Sequence, residues 1–224
     1  MRYIEKHAEP RSLTAYKKQP HAYYDGCNKE DIREQLLKDQ GYLCAYCMRR
    51  IPEKGSAGGI PRMKIEHWLP ESQCTEAQKL DFRNMLGVCL GNAGHPQQRT
   101  TCDAHRKDKP LTINPLDKTC IRKIKYHTDT GAIFSDDPQI DEDLNDTLNL
   151  NYAGHDFSLQ ENRRNALNVC LEKLKTMSKE KTGDWPQGNL RKMLKIYEGK
   201  DREGKYREYS GIVIWYLRKR LRCQ

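Results

Sequence analysis

The sequence predicts an α+β fold: a small β unit stapled by a metal in the middle of the chain, an N-terminal arm before it, and a mainly helical region after it. Three observations carry this. Cysteines stand at 44 and 47 and again at 89 and 102, so a knuckle of two thiolates has a distant complement. A short strand, residues 63 to 67, lies between the two pairs, and residues 81 to 89 bring the chain back toward the metal. Apolar residues recur at helical spacing over 158 to 179, 187 to 198 and 209 to 222. With 224 residues, one compound domain is expected, divided as 1–40, 41–117, 118–157 and 158–224.

Residues 1 to 28 hold no helical period beyond a turn and read as an arm docked on the body. Asn28 then offers an N-cap, Glu30 and Asp31 sit in the first turn, Ile32, Leu36 and Leu37 share a face, and Gly41 closes a helix of about three turns. The knuckle Cys44-Ala-Tyr-Cys47 follows, and Gly55, Gly58, Gly59 and Pro61 mark a loop before the strand. Residues 72 to 79 are expected as helix, 89 to 102 as a turn-rich insertion, and the stretch from Thr100 as a helical turn ahead of Pro110. Asp129-Thr-Gly131 between two β-prone runs predicts a hairpin. The acidic residues from 135 to 146 read as a linker.

A net charge of +9 points to a polyanionic partner, and nucleic acid is the commonest. From Gln187 onward there are 11 Lys or Arg against 4 Asp or Glu, a net of +7, so most of the excess lies in the last helices. Nine cysteines without an apolar leader or a long apolar run predict a reducing, cytoplasmic setting with no membrane span. They read as metal ligands plus spare thiols. No GxxxxGK[ST] pattern and no internal repeat occur, so nucleotide hydrolysis is assigned to another chain.

Glu66 and His67 are adjacent on the expected strand, so their side chains leave it on opposite sides. A carboxylate that grips a divalent cation and an imidazole that takes a proton from water are what phosphodiester hydrolysis needs. Asn84 offers a neutral oxygen to the same metal or to the orientation of His67, and Asp103 or His105 from the turn after Cys102 completes the set. Oxygen ligands favour Mg²⁺, and a histidine ligand widens tolerance to Mn²⁺ or Ni²⁺.

The run CxxC, then Glu66-His-x-x-Pro70, then Asp81-x-x-Asn84-x-Leu, then Cys89 and Cys102 resembles the HNH endonucleases of the ββα-metal class. The wider pattern, from Gln40-Gly-Tyr-Leu-Cys-Ala-Tyr-Cys through Ile-Asn-Pro-Leu-Asp117 to Leu148-Asn-Leu-Asn, is similar to the PtuB-type HNH proteins of Septu and retron anti-phage systems. It covers about residues 1 to 175. The resemblance implies His67 as general base, Glu66 and Asn84 on a catalytic Mg²⁺ or Mn²⁺, and Cys44, Cys47, Cys89 and Cys102 on structural zinc. It implies as partners a DNA or RNA substrate, a PtuA-type ABC/SMC-like ATPase, and a retron reverse transcriptase with its msDNA. The chain departs from the pattern twice. Asp103 stands where the last histidine is common, leaving Asp103 and His105 to share one role, and a long insertion splits the second cysteine pair, so His95 or His105 are alternative zinc ligands. The other reading of the same residues is a non-catalytic zinc module that recognises nucleic acid or protein.

Overall fold

A computed structural model describes residues 1–53, 62–155, 157–178 and 185–222. The expected loop at Gly55 to Pro61, the end of the helix read to 179, and Cys223 lie outside the described residues.

The N-terminal arm contains one short helix, α1 (Arg11–Tyr16), and docks by burying Met1, Ile4 and Leu13. Next, α2 (Lys29–Gln40) has the ends its sequence announces. The Asn28 side chain accepts from the N–H groups of Glu30 and Asp31, and Gly41 takes the left-handed conformation at φ 56°. Its face of Ile32, Leu36 and Leu37 is buried. Gln40 at its end donates to the carbonyls of Leu43 (2.8 Å) and Gly87 (2.7 Å) and accepts from the Gly87 N–H (2.7 Å), which fixes the helix to the strand that carries Gly87.

Strand β1 (Met63–His67) is followed by α3 (Glu76–Lys79) and then β2 (Met85–Cys89), and the two strands pair antiparallel. The helix expected from 72 is shorter. Residues Glu71–Gln73 form a single tight turn, Cys74 and Thr75 are extended, and a capping box between Thr75 and Gln78 starts the helix afresh. In the hairpin Met63 faces Cys89 and His67 faces Met85, so the cysteine and the imidazole sit at opposite ends of the ladder, about 13 Å apart by strand rise. The knuckle is closed by a bridge between Leu43 and Arg50 and lies against β2, where the Ala45 N–H donates to the Gly87 carbonyl at 3.0 Å.

After the insertion, α4 (Asp103–Arg106) makes the helical turn expected before Pro110. Then come α5 (Lys118–Arg122), β3 (Ile124–Tyr126) and β4 (Ile133–Ser135), the last two forming the expected hairpin with Gly131 at φ 78° in its turn. The acidic stretch is not a linker. It folds into α6 (Pro138–Glu142), capped by the Asp137 side chain, and a wide helical turn over Asp143–Thr147. Asp143 accepts from the N–H groups of Thr112 and Ile113, both at 2.7 Å, and the Leu148 carbonyl accepts from the Cys102 N–H at 2.8 Å. The stretch therefore clamps the chain on either side of α4.

The C-terminal region is α7 (Leu159–Ser178), α8 (Gln187–Glu198) and α9 (Ser210–Arg222), packed on one another through Leu167, Leu174, Leu190, Met193, Ile212 and Leu217. Arg163 is buried within the apolar stripe of α7. Its guanidinium donates to the carbonyls of Gly131 (2.6 Å) and Leu150 (2.8 Å), which satisfies the charge and holds α7 to the β3–β4 turn. Among the described residues no helix is long and apolar enough to cross a membrane.

Candidate functional site

The four predicted cysteine ligands come together. Sγ–Sγ separations are 3.8 Å for Cys44–Cys102, 3.7 Å for Cys47–Cys89 and 3.9 Å for Cys89–Cys102, and all four sulfurs lie within 4.8 Å of one another. A tetrahedron with metal–sulfur bonds of about 2.3 Å has edges of about 3.8 Å, so the cluster is compatible with structural zinc and with no disulfide. Burial opposes ionisation of Cys44, but hydrogen bonds from Cys102, Cys47 and Cys89 outweigh it and hold that thiol well below its ordinary value. A buried thiolate wants a cation. The alternative ligands do not join: His95 is exposed, and His105 Nδ1 lies 2.9 Å from the Gln97 carbonyl and 3.2 Å from Thr100 Oγ1.

From this cluster, β1 carries the two candidate side chains Glu66 and His67 away from each other. Glu66 turns inward. One of its oxygens accepts from Arg106 Nη1 and, at 3.2 Å, from the Tyr46 hydroxyl. Arg106 is fully buried and also donates to the carbonyls of His67 (3.0 Å), Trp68 (2.7 Å) and Lys109 (2.7 Å), so it ties α4 to the end of β1. Asp103, on α4, interacts with Glu66 as well. Burial, then the negative charge of Asp103, pushes Glu66 up to about 8 against the pull of Arg106. Glu66, buried beside a second carboxyl group, is a group whose ionisation a divalent cation would favour. Lys64 Nζ reaches Asp103 at 2.8 Å from the exposed side.

His67 turns the other way and is 3% exposed. Its Nε2–H donates to the Lys79 carbonyl at 2.8 Å, and Nδ1 faces Glu71 Oε1 at 3.1 Å. The edge of the Tyr24 ring covers it, with centroids 4.6 Å apart, so the N-terminal arm forms part of the wall. Because a carbonyl only accepts, the bond to Lys79 places a proton on Nε2, and Nδ1 is free to take another once the Glu71 carboxylate, itself only an acceptor, is drawn aside. Glu71, with a side chain 52% exposed, is the movable member of this set.

Asn84 does not reach Glu66. Its oxygen accepts from the Leu69 N–H at 2.7 Å, and its amide donates to the Leu69 carbonyl (3.3 Å) and Cys74 Sγ (3.3 Å). Asn84 thus clamps the turn that follows His67, and the carboxyl group found with Glu66 is that of Asp103. Of the two candidates for the third role, Asp103 lies by Glu66 and His105 packs on the insertion, where Gln97 also donates to its carbonyl at 2.8 Å.

The chain is similar to HNH endonucleases assigned to retrons. It is 30% identical over 138 residues to the candidate HNH endonuclease of retron Ec83 from Escherichia coli, covering 53% of this chain and 52% of that protein. It is 28% identical over 103 residues to the corresponding candidate of retron Vc95 from Vibrio cholerae serotype O1 biovar El Tor, covering 45% of each. The chain thus spans about half the length of the curated relatives it matches. No protein-family model matches it.

Sequence reasoning missed the supporting residues. Tyr24 lies far from any motif, Arg106 follows His105 without belonging to a pattern, and only Glu71, next to Pro70 and four residues past His67, carried any signal.

Proposed function

We propose that the protein is a metal-dependent HNH-type nuclease that hydrolyses phosphodiester bonds in DNA or RNA within a retron-type anti-phage system. The observation that carries this reading is that one short strand, tied to a four-cysteine cluster, ends with Glu66 beside Asp103 and His67 held by the Lys79 carbonyl. Similarity to the retron HNH candidates supports it.

In this reading Glu66 and Asp103 hold the divalent ion. Two carboxylates suit Mg²⁺ or Mn²⁺, which takes its remaining ligands from water and phosphate. Bound there, the ion would supply positive charge to the phosphate and to the leaving oxygen. Lys64 yields Asp103 to it, which its exposed position allows. With Glu71 drawn aside, His67 Nδ1 accepts the proton of a water whose oxygen bonds to phosphorus as the bond to the leaving oxygen breaks. Asn84 keeps the turn after His67 in place, and Arg106 keeps Glu66 from swinging away. The ABC/SMC-like ATPase and the retron reverse transcriptase with its msDNA remain the partners implied by the resemblance alone.

One observation favours the non-catalytic zinc module instead: both nitrogens of His67 are engaged and its ring is covered by Tyr24. A cleavage panel separates the two. Plasmid, single-stranded DNA and transfer RNA are incubated with Mg²⁺ or Mn²⁺, with the protein alone and co-expressed with an ABC/SMC-like ATPase. The nuclease reading expects cleavage in at least one arm that chelation of the added ion abolishes; intact substrates throughout support the module.

A further inference from the structure

A groove of about 1090 Å³ runs between the first residues of the arm, the β3–β4 hairpin and α9, on elements that the proposed cleavage site does not use. We propose that this groove binds single-stranded nucleic acid.

The first ground is charge. Arg122 at the end of α5 and Lys219 and Arg222 on α9 line the groove, are exposed, and have no ion-pair partner among the described residues. Other cations nearby are already committed. Lys125 pairs with Asp136, Arg218 with Glu198, and Arg2 donates to the Glu198 carbonyl at 3.1 Å while lying 3.4 Å over the Tyr206 ring. Glu5 and Asp129 also line the groove, so the unneutralised positive charge lies at its Arg122 and α9 walls. Cations held without carboxylate partners beside a concave surface suit phosphates, whose binding releases counterions.

The second ground is the aromatic lining. Trp215 is half-buried, braced edge-on by Tyr126 at 5.9 Å, and has Lys219 Nζ 5.2 Å from its ring centroid. Phe134 on β4 stacks on His127, with centroids 4.3 Å apart and planes 19° from parallel. A rigid ring next to a cation is what a base stacks on while its phosphate is neutralised, and it requires a base that is not paired within a duplex. Interleaving of rings and cations favours a single strand over an acidic peptide, which has no use for the rings, and over a membrane, which does not enter a groove.

Binding is measured separately from cleavage, so failure of one reading is distinguishable from failure of the other. Zinc-loaded full-length protein without added Mg²⁺ or Mn²⁺ is titrated into a short labelled thymidine oligonucleotide and its uridine counterpart, followed by fluorescence anisotropy. Unlabelled duplex, polyglutamate and anionic vesicles serve as competitors. The proposal expects saturable, salt-sensitive binding. Combining R122E, K219E and R222E should lower the salt slope by about 2, at about 0.7 for each phosphate deprived of its cation. W215A should weaken binding about tenfold with the slope unchanged, while W215F, which keeps a ring for folding and stacking, binds nearly as the natural chain does. Equal affinity of natural and substituted proteins, or displacement of the strand by duplex, polyglutamate or vesicles in preference to unlabelled strand, overturns it.

Discussion

Removing zinc is expected to unfold residues 43 to 117, with loss of circular dichroism and of the cooperative melting transition. The cluster buries four sulfurs at 5% exposure or less, one of them held toward the thiolate, and takes its ligands from three separate stretches of chain. Without a cation the Cys44 thiolate is left uncompensated in an apolar setting or must take up a proton there. A structural zinc site contributes on the order of 10 kcal/mol, comparable with the whole stability of a domain at about 5–15 kcal/mol. The sheet that carries one of the ligands is small, the β1–β2 ladder being five residue pairs long. The check is a strong chelator, with metal content measured on the same sample as the melt. An unchanged melting curve after verified zinc loss contradicts the staple.

His67→Ala is expected to cost cleavage roughly 10²- to 10⁴-fold, the range for a lost general base, with zinc content unchanged. The variant leaves the Lys79 carbonyl without the imidazole donor, which costs stability about 1–3 kcal/mol, well short of unfolding. The staple is unaffected because His67 stands at the far end of the hairpin from Cys89. Turnover close to that of the natural protein, on whichever substrate the panel identifies, removes this imidazole from the chemistry.

How much of this was legible in the sequence depended on whether a residue's role is local. The caps of α2 and the turn of the second hairpin are decided by side chains within a few residues of the backbone groups they satisfy, and both were readable. The cysteines were readable too, because thiolate geometry tolerates little besides tetrahedral closure. The acidic stretch was misread because charge hid a buried spacing. Ile140, Leu144 and Leu148 recur every fourth residue, and Asp137 and Asp143 serve as hydrogen-bond acceptors for backbone N–H groups rather than as solvated charges. Asn84 was ambiguous for a related reason: an amide can ligate a metal or clamp a turn, and the Leu69 N–H on its oxygen is a partner the sequence does not announce. Arg106 was invisible, since a fully buried guanidinium is settled by five acceptors that folding gathers from distant parts of the chain.

That β1 ends in a divalent-ion site on one side and an imidazole base on the other is put to the test by locating Mn²⁺ in crystals of the zinc-loaded protein through its anomalous scattering. Zinc is expected among the four sulfurs and manganese between the carboxylates of Glu66 and Asp103, absent from Asp103→Asn and retained in His105→Ala. Manganese bound elsewhere, or none bound while zinc is in place, contradicts it.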